Sequence, residues 1–273
     1  MTDDEFFLTA ILGGTRSDLY THPTTLDPAQ QARLDDMRRR RAAGEPVQYI
    51  TGWTEFFGYR FEVGPGVLVP RPETEVLADL LVKELKALGK REYFILDIGT
   101  GSGCLAVTMV KELPQCRAVA LDVSEEALAY ARRNAAVNGV ADRIEFIRRD
   151  MFWFMDETLH RFDAVVSNPP YIPEAMIATL PEDVRKEPLL ALEAGPDGLH
   201  FFRFIVPSSH RVLKSGGIIA VEMGDGQGKE LQNLFAITGP WDKIKVCDDN
   251  AGRPRVAMAR KQPQPLDKDN YHG

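Results

Sequence analysis

From Tyr93 onward, apolar runs and helical stretches alternate along the chain, and few folds accommodate that alternation. The apolar runs fall at 95–98, 118–121, 144–147, 162–166, 218–223, 244–247 and 256–259, with helical spacing over 104–113, 198–213 and 227–236. Strands separated by helices are joined by crossovers rather than tight hairpins, so they lie mainly parallel. A parallel sheet has both faces covered and its ligands sit beyond the carboxyl ends of its strands. The expected class is therefore α/β. Pro207 lies inside the helix expected over 198–213 and should kink it.

The first strand runs straight into Ile95-Leu96-Asp97-Ile98-Gly99-Thr100-Gly101-Ser102-Gly103 and then a helix. Glycines let the backbone turn sharply and let a ligand approach closely. The spacing is GxGxG, because position 104 is Cys, and so it departs from the GxGxxG of dinucleotide folds. A dinucleotide needs its pyrophosphate on a helix N-terminus. S-adenosylmethionine (SAM) has no phosphate, and the looser pattern suits it. The next strand ends at Asp122-Val123, roughly 20 residues past the glycines, where a carboxylate can accept both ribose hydroxyls. A third strand ends at Asp150-Met151-Phe152, a place for adenine to rest against Met151 or Phe152. Each signal alone is a common turn or helix cap; their order and spacing describe one nucleoside site.

The strand over 162–166 leads into Ser167-Asn168-Pro169-Pro170-Tyr171-Ile172-Pro173. A residue before proline is pushed out of the α region, so Asn168 and Pro169 are both stiffly held. The Asn168 side-chain oxygen and the Pro169 carbonyl are two fixed acceptors, and an NH2 group has two hydrogens to give them. Tyr171 can stack on the flat group that carries the NH2. Without the cofactor loop upstream, Pro169-Pro170 would mean no more than a rigid turn.

Asp97-Ile98-Gly99-Thr100-Gly101-Ser102-Gly103, Asp122 and Asn168-Pro169-Pro170-Tyr171 resemble the class I SAM-dependent methyltransferases that act on exocyclic or amide nitrogen. Glu45-Pro46-Val47-Gln48-Tyr49-Ile50-Thr51-Gly52, Glu55-Phe56 and Val69-Pro70-Arg71-Pro72-Glu73-Thr74-Glu75 narrow this. They are similar to the protein-(glutamine-N5) methyltransferases of peptide chain release factors, as are Asp183-Val184-Arg185-Lys186-Glu187-Pro188 and Ala251-Gly252-Arg253-Pro254-Arg255-Val256. The resemblance implies a Rossmann-like seven-stranded sheet whose last strand is antiparallel. It implies SAM as cofactor, S-adenosylhomocysteine as product, and the Gln of the Gly-Gly-Gln motif of class I release factors as substrate. The catalytic and substrate-binding residues carried over are Asn168, Pro169, Pro170 and Tyr171. Those facing the cofactor are Asp97, Gly99, Thr100, Gly101, Ser102, Gly103, Asp122, Val123, Asp150, Met151, Phe152 and Asn168.

Four regions are expected. Residues 1–50, with helical spacing over 4–13 and 28–43, form a small helical domain for substrate recognition, and Asp27-Pro28 is a helix start. Residues 51–72 form a β-hairpin linker; a helix over 73–88 opens the methyltransferase domain, residues 73–261; residues 262–273 form a polar tail expected to be disordered. Arg71-Pro72-Glu73 and Glu187-Pro188 are either pocket-shaping groups or plain loop structure and helix caps. Arg38-Arg39-Arg40-Arg41 is either the solvated end of a helix or a contact for an acidic partner.

The net charge of −7 argues against a dedicated nucleic-acid binder. Adenine-N6 DNA and guanine-N2 rRNA methyltransferases share the Asn-Pro-Pro-Tyr loop and stay open as alternatives, as does a catalytically silent SAM-binding protein. No apolar run has the length of a membrane span, and the acidic start Met1-Thr2-Asp3-Asp4-Glu5 is unlike a signal peptide. Cys104, Cys116 and Cys247 lack metal-ligand spacing and read as buried thiols, so a cytoplasmic protein without a metal is expected.

Overall fold

The computed structural model describes residues 2–15, 17–21 and 25–263. Four helices come first: α1 (Asp3–Leu12), α2 (Asp18–Thr21), α3 (Pro28–Ala42) and α4 (Val47–Thr51). Capping boxes start two of them. Thr2 and Glu5 close on each other at α1; at α3 the Asp27 carboxylate accepts from Gln30 N at 2.8 Å and Gln30 Oε1 accepts from Asp27 N at 3.0 Å. Phe7, Leu34, Met37, Val47 and Ile50 make their own small core.

The arginine run at the end of α3 is partly exposed to solvent and paired with acids of the chain itself. Arg38 pairs with Asp4, Arg39 with Asp36, Arg40 with Glu45, and Arg41 with both Asp3 and Asp183. The run thus ties α3 to α1 and, through Asp183, to the short helix over 182–185.

The hairpin β1 (Trp53–Phe56) and β2 (Tyr59–Glu62) turns on Phe57 and Gly58, with φ of 55° and 74°. Positive φ at both central residues is the turn that matches strand twist. Gly58 adopts it freely; Phe57 is held there by its N–H, which donates to Glu75 Oε1 at 2.7 Å. The hairpin is more than a linker: Phe56 and Phe61 are fully buried in the main core.

The sheet layer contains α5 (Pro72–Leu88), β3 (Tyr93–Ile98), α6 (Cys104–Glu112), β4 (Cys116–Asp122), α7 (Glu125–Val137), β5 (Ile144–Arg148), α8 (Met151–Glu157), β6 (Phe162–Ser167), α9 (Glu182–Arg185), α10 (Phe202–Val212), β7 (Leu213–Glu222), α11 (Gly228–Thr238), β8 (Trp241–Asp248) and β9 (Pro254–Lys261). The seven strands β3 to β9 are ordered β5-β4-β3-β6-β7-β9-β8, and β9 alone runs antiparallel to its neighbours. Apolar side chains fill both faces, one cluster under α5 and α6, the other under α10 and α11. The chain reverses its march between β3 and β6, which opens a crevice at their carboxyl ends.

Two expectations need correction, and a third lies outside the described residues. The helix expected over 198–213 starts at Phe202, because Gly198 sits at φ +75°, a left-handed conformation that no helix admits. Pro207 lies within it, where its ring removes one backbone hydrogen bond. Only Cys116 of the three thiols is buried; Cys104 and Cys247 are partly exposed. Most of the tail expected to be disordered lies outside the described residues, beginning at residue 264.

Asp163, at the amino end of β6, is a buried anchor. Its carboxylate accepts from Lys90 Nζ at 2.7 Å, Lys214 Nζ at 2.8 Å and Phe94 N at 2.9 Å. Burial opposes its charge, but the two ammonium groups win and hold its pKa below the usual carboxylate value. Asp163→Ala is expected to cost about 2–3 kcal/mol, because a backbone donor and two half-exposed lysines lose their acceptor. A folded pKa below the unfolded one contributes stability above the unfolded value of about 3.9. In thermal melts the gap between wild type and variant should therefore be full near pH 7 and close as pH falls below about 4; a gap independent of pH would refute the assignment.

Candidate active site

A cavity of about 360 Å³ opens at the carboxyl ends of β3, β4, β5 and β6. This is a volume suited to a small-molecule ligand. Its floor is the glycine loop. Gly99, Gly101 and Gly103 have φ of 67°, 55° and 82°. A Cβ on Gly99 would meet nothing within 4 Å, so the loop leaves open space above itself. Gly103 differs: a Cβ there would stand 3.0 Å from Ala131, so this glycine lets α6 pack on α7.

Asp97 braces the loop from below, fully buried, its Oδ2 accepting from Thr100 Oγ1 at 2.6 Å and Ala106 N at 3.1 Å. Burial pushes its carboxyl up to about 7 against those two hydrogen bonds. Its Oδ1 is buried without a protein partner. At the end of β4, Asp122 spends one lone pair of each oxygen on the backbone: Oδ2 accepts from Gly101 N and Oδ1 from Ser124 N, both at 2.9 Å. The remaining lone pairs are free for ligand hydroxyls. Asp150 caps α8 by accepting from Phe152 N at 2.8 Å and so sets Met151 and Phe152 on the cavity wall. An open glycine loop, a carboxylate with lone pairs to spare and an apolar flank fit SAM.

Of the residues singled out in the sequence, Gly99, Thr100, Gly101, Ser102, Asp122, Val123, Asp150, Met151, Phe152, Asn168, Pro169 and Pro170 line this one cavity. Asp97 and Gly103 stand behind it as supports. Tyr171 also stands behind it. Its ring packs against the apolar layer around Met223, and its hydroxyl donates to Glu222 Oε1 at 3.1 Å. The structure therefore gives the ring no place in the cavity lining, and the expected stacking role yields to a supporting one.

Arg71 and Glu187 gain definite places. Glu187 is buried; its Oε2 accepts from Val69 N at 3.0 Å and its Oε1 from the Arg71 guanidinium. The pair clamps the segment bearing Leu68 and Pro70, which line the cavity, to Pro188 and Leu190 on the opposite rim. Pro72 opens α5 at its first turn.

Sequence reasoning missed three groups. Asn134 is completely buried on α7: its amide accepts from Glu62 N at 2.6 Å and donates to Glu62 O at 3.0 Å and Ser102 O at 2.8 Å, joining hairpin to glycine loop. Nothing in a helical asparagine announces this. Thr74 and Glu222 stand beside Asn168. Asn168 Nδ2 donates to Thr74 Oγ1 at 3.1 Å, and Thr74 donates to Glu222 Oε2 at 2.5 Å. Glu222 was visible as the one acid in the apolar run over 218–223. It is fully buried, which pushes its carboxyl up to about 7 despite the hydroxyls of Thr74 and Tyr171 and the charge of Arg255.

Residues 64–180 match the family model described as methyltransferase small domain, and residues 2–52 match the one described as PrmC N-terminal domain. A release factor glutamine methyltransferase of Moorella thermoacetica is 40% identical over 237 residues, spanning 87% of this chain and 82% of its own. One of Geobacter sulfurreducens is 40% identical over 260 residues, spanning 94% and 88%. Among solved structures, a methyltransferase from Pyrococcus furiosus superposes with a TM-score of 0.54 at 20% identity, over 86% of this chain and 100% of that one, a likeness of fold.

Proposed function

The chain belongs to the release factor glutamine methyltransferases, and from that premise we propose that it methylates the side-chain amide nitrogen, N5, of the Gln in the Gly-Gly-Gln motif of class I peptide chain release factors. The observation that carries this reading is the placement of Asn168 and Pro169 in the wall of the same cavity as the glycine loop and Asp122. Bound SAM supplies an electrophilic methyl group.

The chain's own residues then have three tasks. Asp122 holds the ribose hydroxyls, with Met151 and Phe152 against the adenine. Asn168 Oδ1 and the Pro169 carbonyl accept the two hydrogens of the substrate amide. An amide nitrogen is a poor nucleophile because its lone pair is delocalised, and it is far too weak an acid for a side chain to deprotonate in advance. Two acceptors favour charge build-up on nitrogen and turn the lone pair toward the methyl group. As the new N–C bond forms the bond from sulfur to the methyl group breaks, leaving S-adenosylhomocysteine, and the proton then passes to water, because the nitrogen has become strongly acidic. The charge disperses in the transition state, so alignment carries most of the acceleration, with a ceiling of about 7–11 kcal/mol.

Asp122→Ala should weaken SAM binding by about 2–4 kcal/mol, roughly 30- to 800-fold, since two hydrogen bonds to a charged acceptor are lost. Equilibrium SAM titration checks it; an unchanged affinity would remove Asp122 from the site.

The reading itself is tested with methyl-labelled SAM and a purified class I release factor, beside a Gln→Ala variant of its Gly-Gly-Gln motif. Label on the wild-type factor alone supports it. Label on neither, but on DNA or rRNA offered in the factor's place, overturns it. A cytoplasmic location belongs to the same proposal, because release factors act in translation there.

A further inference from the structure

We propose that Thr74 and Glu222 form a positioning relay that fixes which face of the Asn168 amide meets the substrate. The proposal rests on the methyltransferase reading above and adds two residues to it.

Counting protons fixes the direction of each hydrogen bond. A carboxylate has acceptors only, and a threonine hydroxyl has one proton. Glu222 receives Thr74 on Oε2 at 2.5 Å and Tyr171 on Oε1 at 3.1 Å. Thr74, having given its proton to Glu222, can offer Asn168 nothing but lone pairs. The group it meets must be a donor, and it is the Asn168 Nδ2 at 3.1 Å. The amide oxygen is thereby turned the other way. Asn168 lines the cavity, and in the relay it is that oxygen which is turned to the ligand. Nothing in asparagine's own shape chooses between the two amide orientations, because oxygen and nitrogen are nearly isosteric. With the amide reversed, an NH2 would face the substrate NH2, and the site would repel what it should hold.

The relay needs Glu222 ionised. A protonated Glu222 can donate to Thr74, which frees the Thr74 proton for Asn168 Oδ1 and stabilises the reversed amide. The groups bearing on Glu222 are Tyr171, Thr74 and Glu73, with Arg255 on β9 and the Cys104 thiol. Arg255 is the cation among them, and it is shared, since its guanidinium also donates to Met223 O at 3.1 Å and to Asp249 at 3.4 Å. Burial prevails, and turnover should fall as pH drops through about 7. Asp97 is also held up to about 7, so an acid limb alone does not assign the group.

The experiment compares wild type, Glu222→Gln, Thr74→Val and Thr74→Ser with release factor and labelled SAM, reading kcat, KM, SAM affinity, melting temperature and the pH profile of kcat. Glu222→Gln and Thr74→Val should each lower kcat about 10- to 100-fold, with KM and SAM affinity within about threefold. Thr74→Ser, which keeps the hydroxyl, should restore kcat to within about threefold of wild type. The acid limb should be absent from Glu222→Gln. An acid limb retained in Glu222→Gln with wild-type kcat would overturn the relay. So would Thr74→Ser falling as far as Thr74→Val, since shape and not the proton would then matter. If Glu222→Gln fails to fold, the threonine pair decides. A wild type that labels no release factor refutes the functional reading; variants that match an active wild type refute the relay alone.

Discussion

Asn168→Ala is expected to lower kcat for release factor methylation by about 100- to 1,000-fold while leaving SAM affinity within about threefold. The size follows from losing one of two preorganised contacts to the reacting group, a change that typically costs two to three orders of magnitude. The asymmetry follows from geometry. In the proposed binding mode SAM is held by the loop over 99–103, by Asp122 and by the α8 start, all on other strands, and the hydrogen bonds that shape these do not involve the Asn168 side chain. Pro169 keeps its carbonyl in the variant, so a residual rate above background is expected. Thr74 loses its donor, but it retains the stronger bond to Glu222 and stays in place. Single-turnover methylation and equilibrium SAM titration on the same preparation separate the two effects. Equal losses in both would mean that Asn168 holds the cofactor or the fold and not the amide.

The sequence announced the parts of this site that are local in the chain. A strand entering a glycine turn, an acid ending the next strand and an asparagine ahead of two prolines are all set by nearest neighbours. The parts it concealed are contacts between distant segments. Thr74 and Glu222 are 148 positions apart and meet at 2.5 Å. Arg71 reaches Glu187 and Arg41 reaches Asp183 in the same way. Periodicity also cannot say which face of a loop residue turns inward, which is why Tyr171 read as a stacking platform when its ring lies in the apolar layer. The arginine run shows the reverse failure. Read alone it was a patch of charge, yet Arg38 and Arg41 meet acids far away in the chain, and Arg39 and Arg40 meet acids close by.

The second large effect concerns the helices before the sheet. We propose that α1 to α3 dock the body of the release factor. One Gln side chain flanked by glycines offers little area, whereas specific protein interfaces bury about 1,200–2,000 Å². The remaining surface must come from outside the cavity. The first three helices are suited to it, because their core of Phe7, Leu34 and Met37 is closed on itself and shares only Val47 and Ile50 with α4. The cut must spare α4: Tyr49 packs with Val63, Val67 and Val69, and its hydroxyl donates to Val67 O at 2.6 Å, propping the cavity wall. A chain beginning at Glu45 keeps this prop and loses the Arg41 contact to Asp183. Its SAM affinity should stay within about threefold, while kcat/KM for whole release factor should fall at least about 100-fold, the equivalent of about 3 kcal/mol of lost docking. Methylation of a short Gly-Gly-Gln peptide should change little, since the peptide never touched those helices. Undiminished methylation of the whole factor would show that docking lies elsewhere. Equal losses on factor and peptide would show that α1 to α3 act by shaping the cavity through Asp183 and its neighbour Glu187 and not by holding the partner.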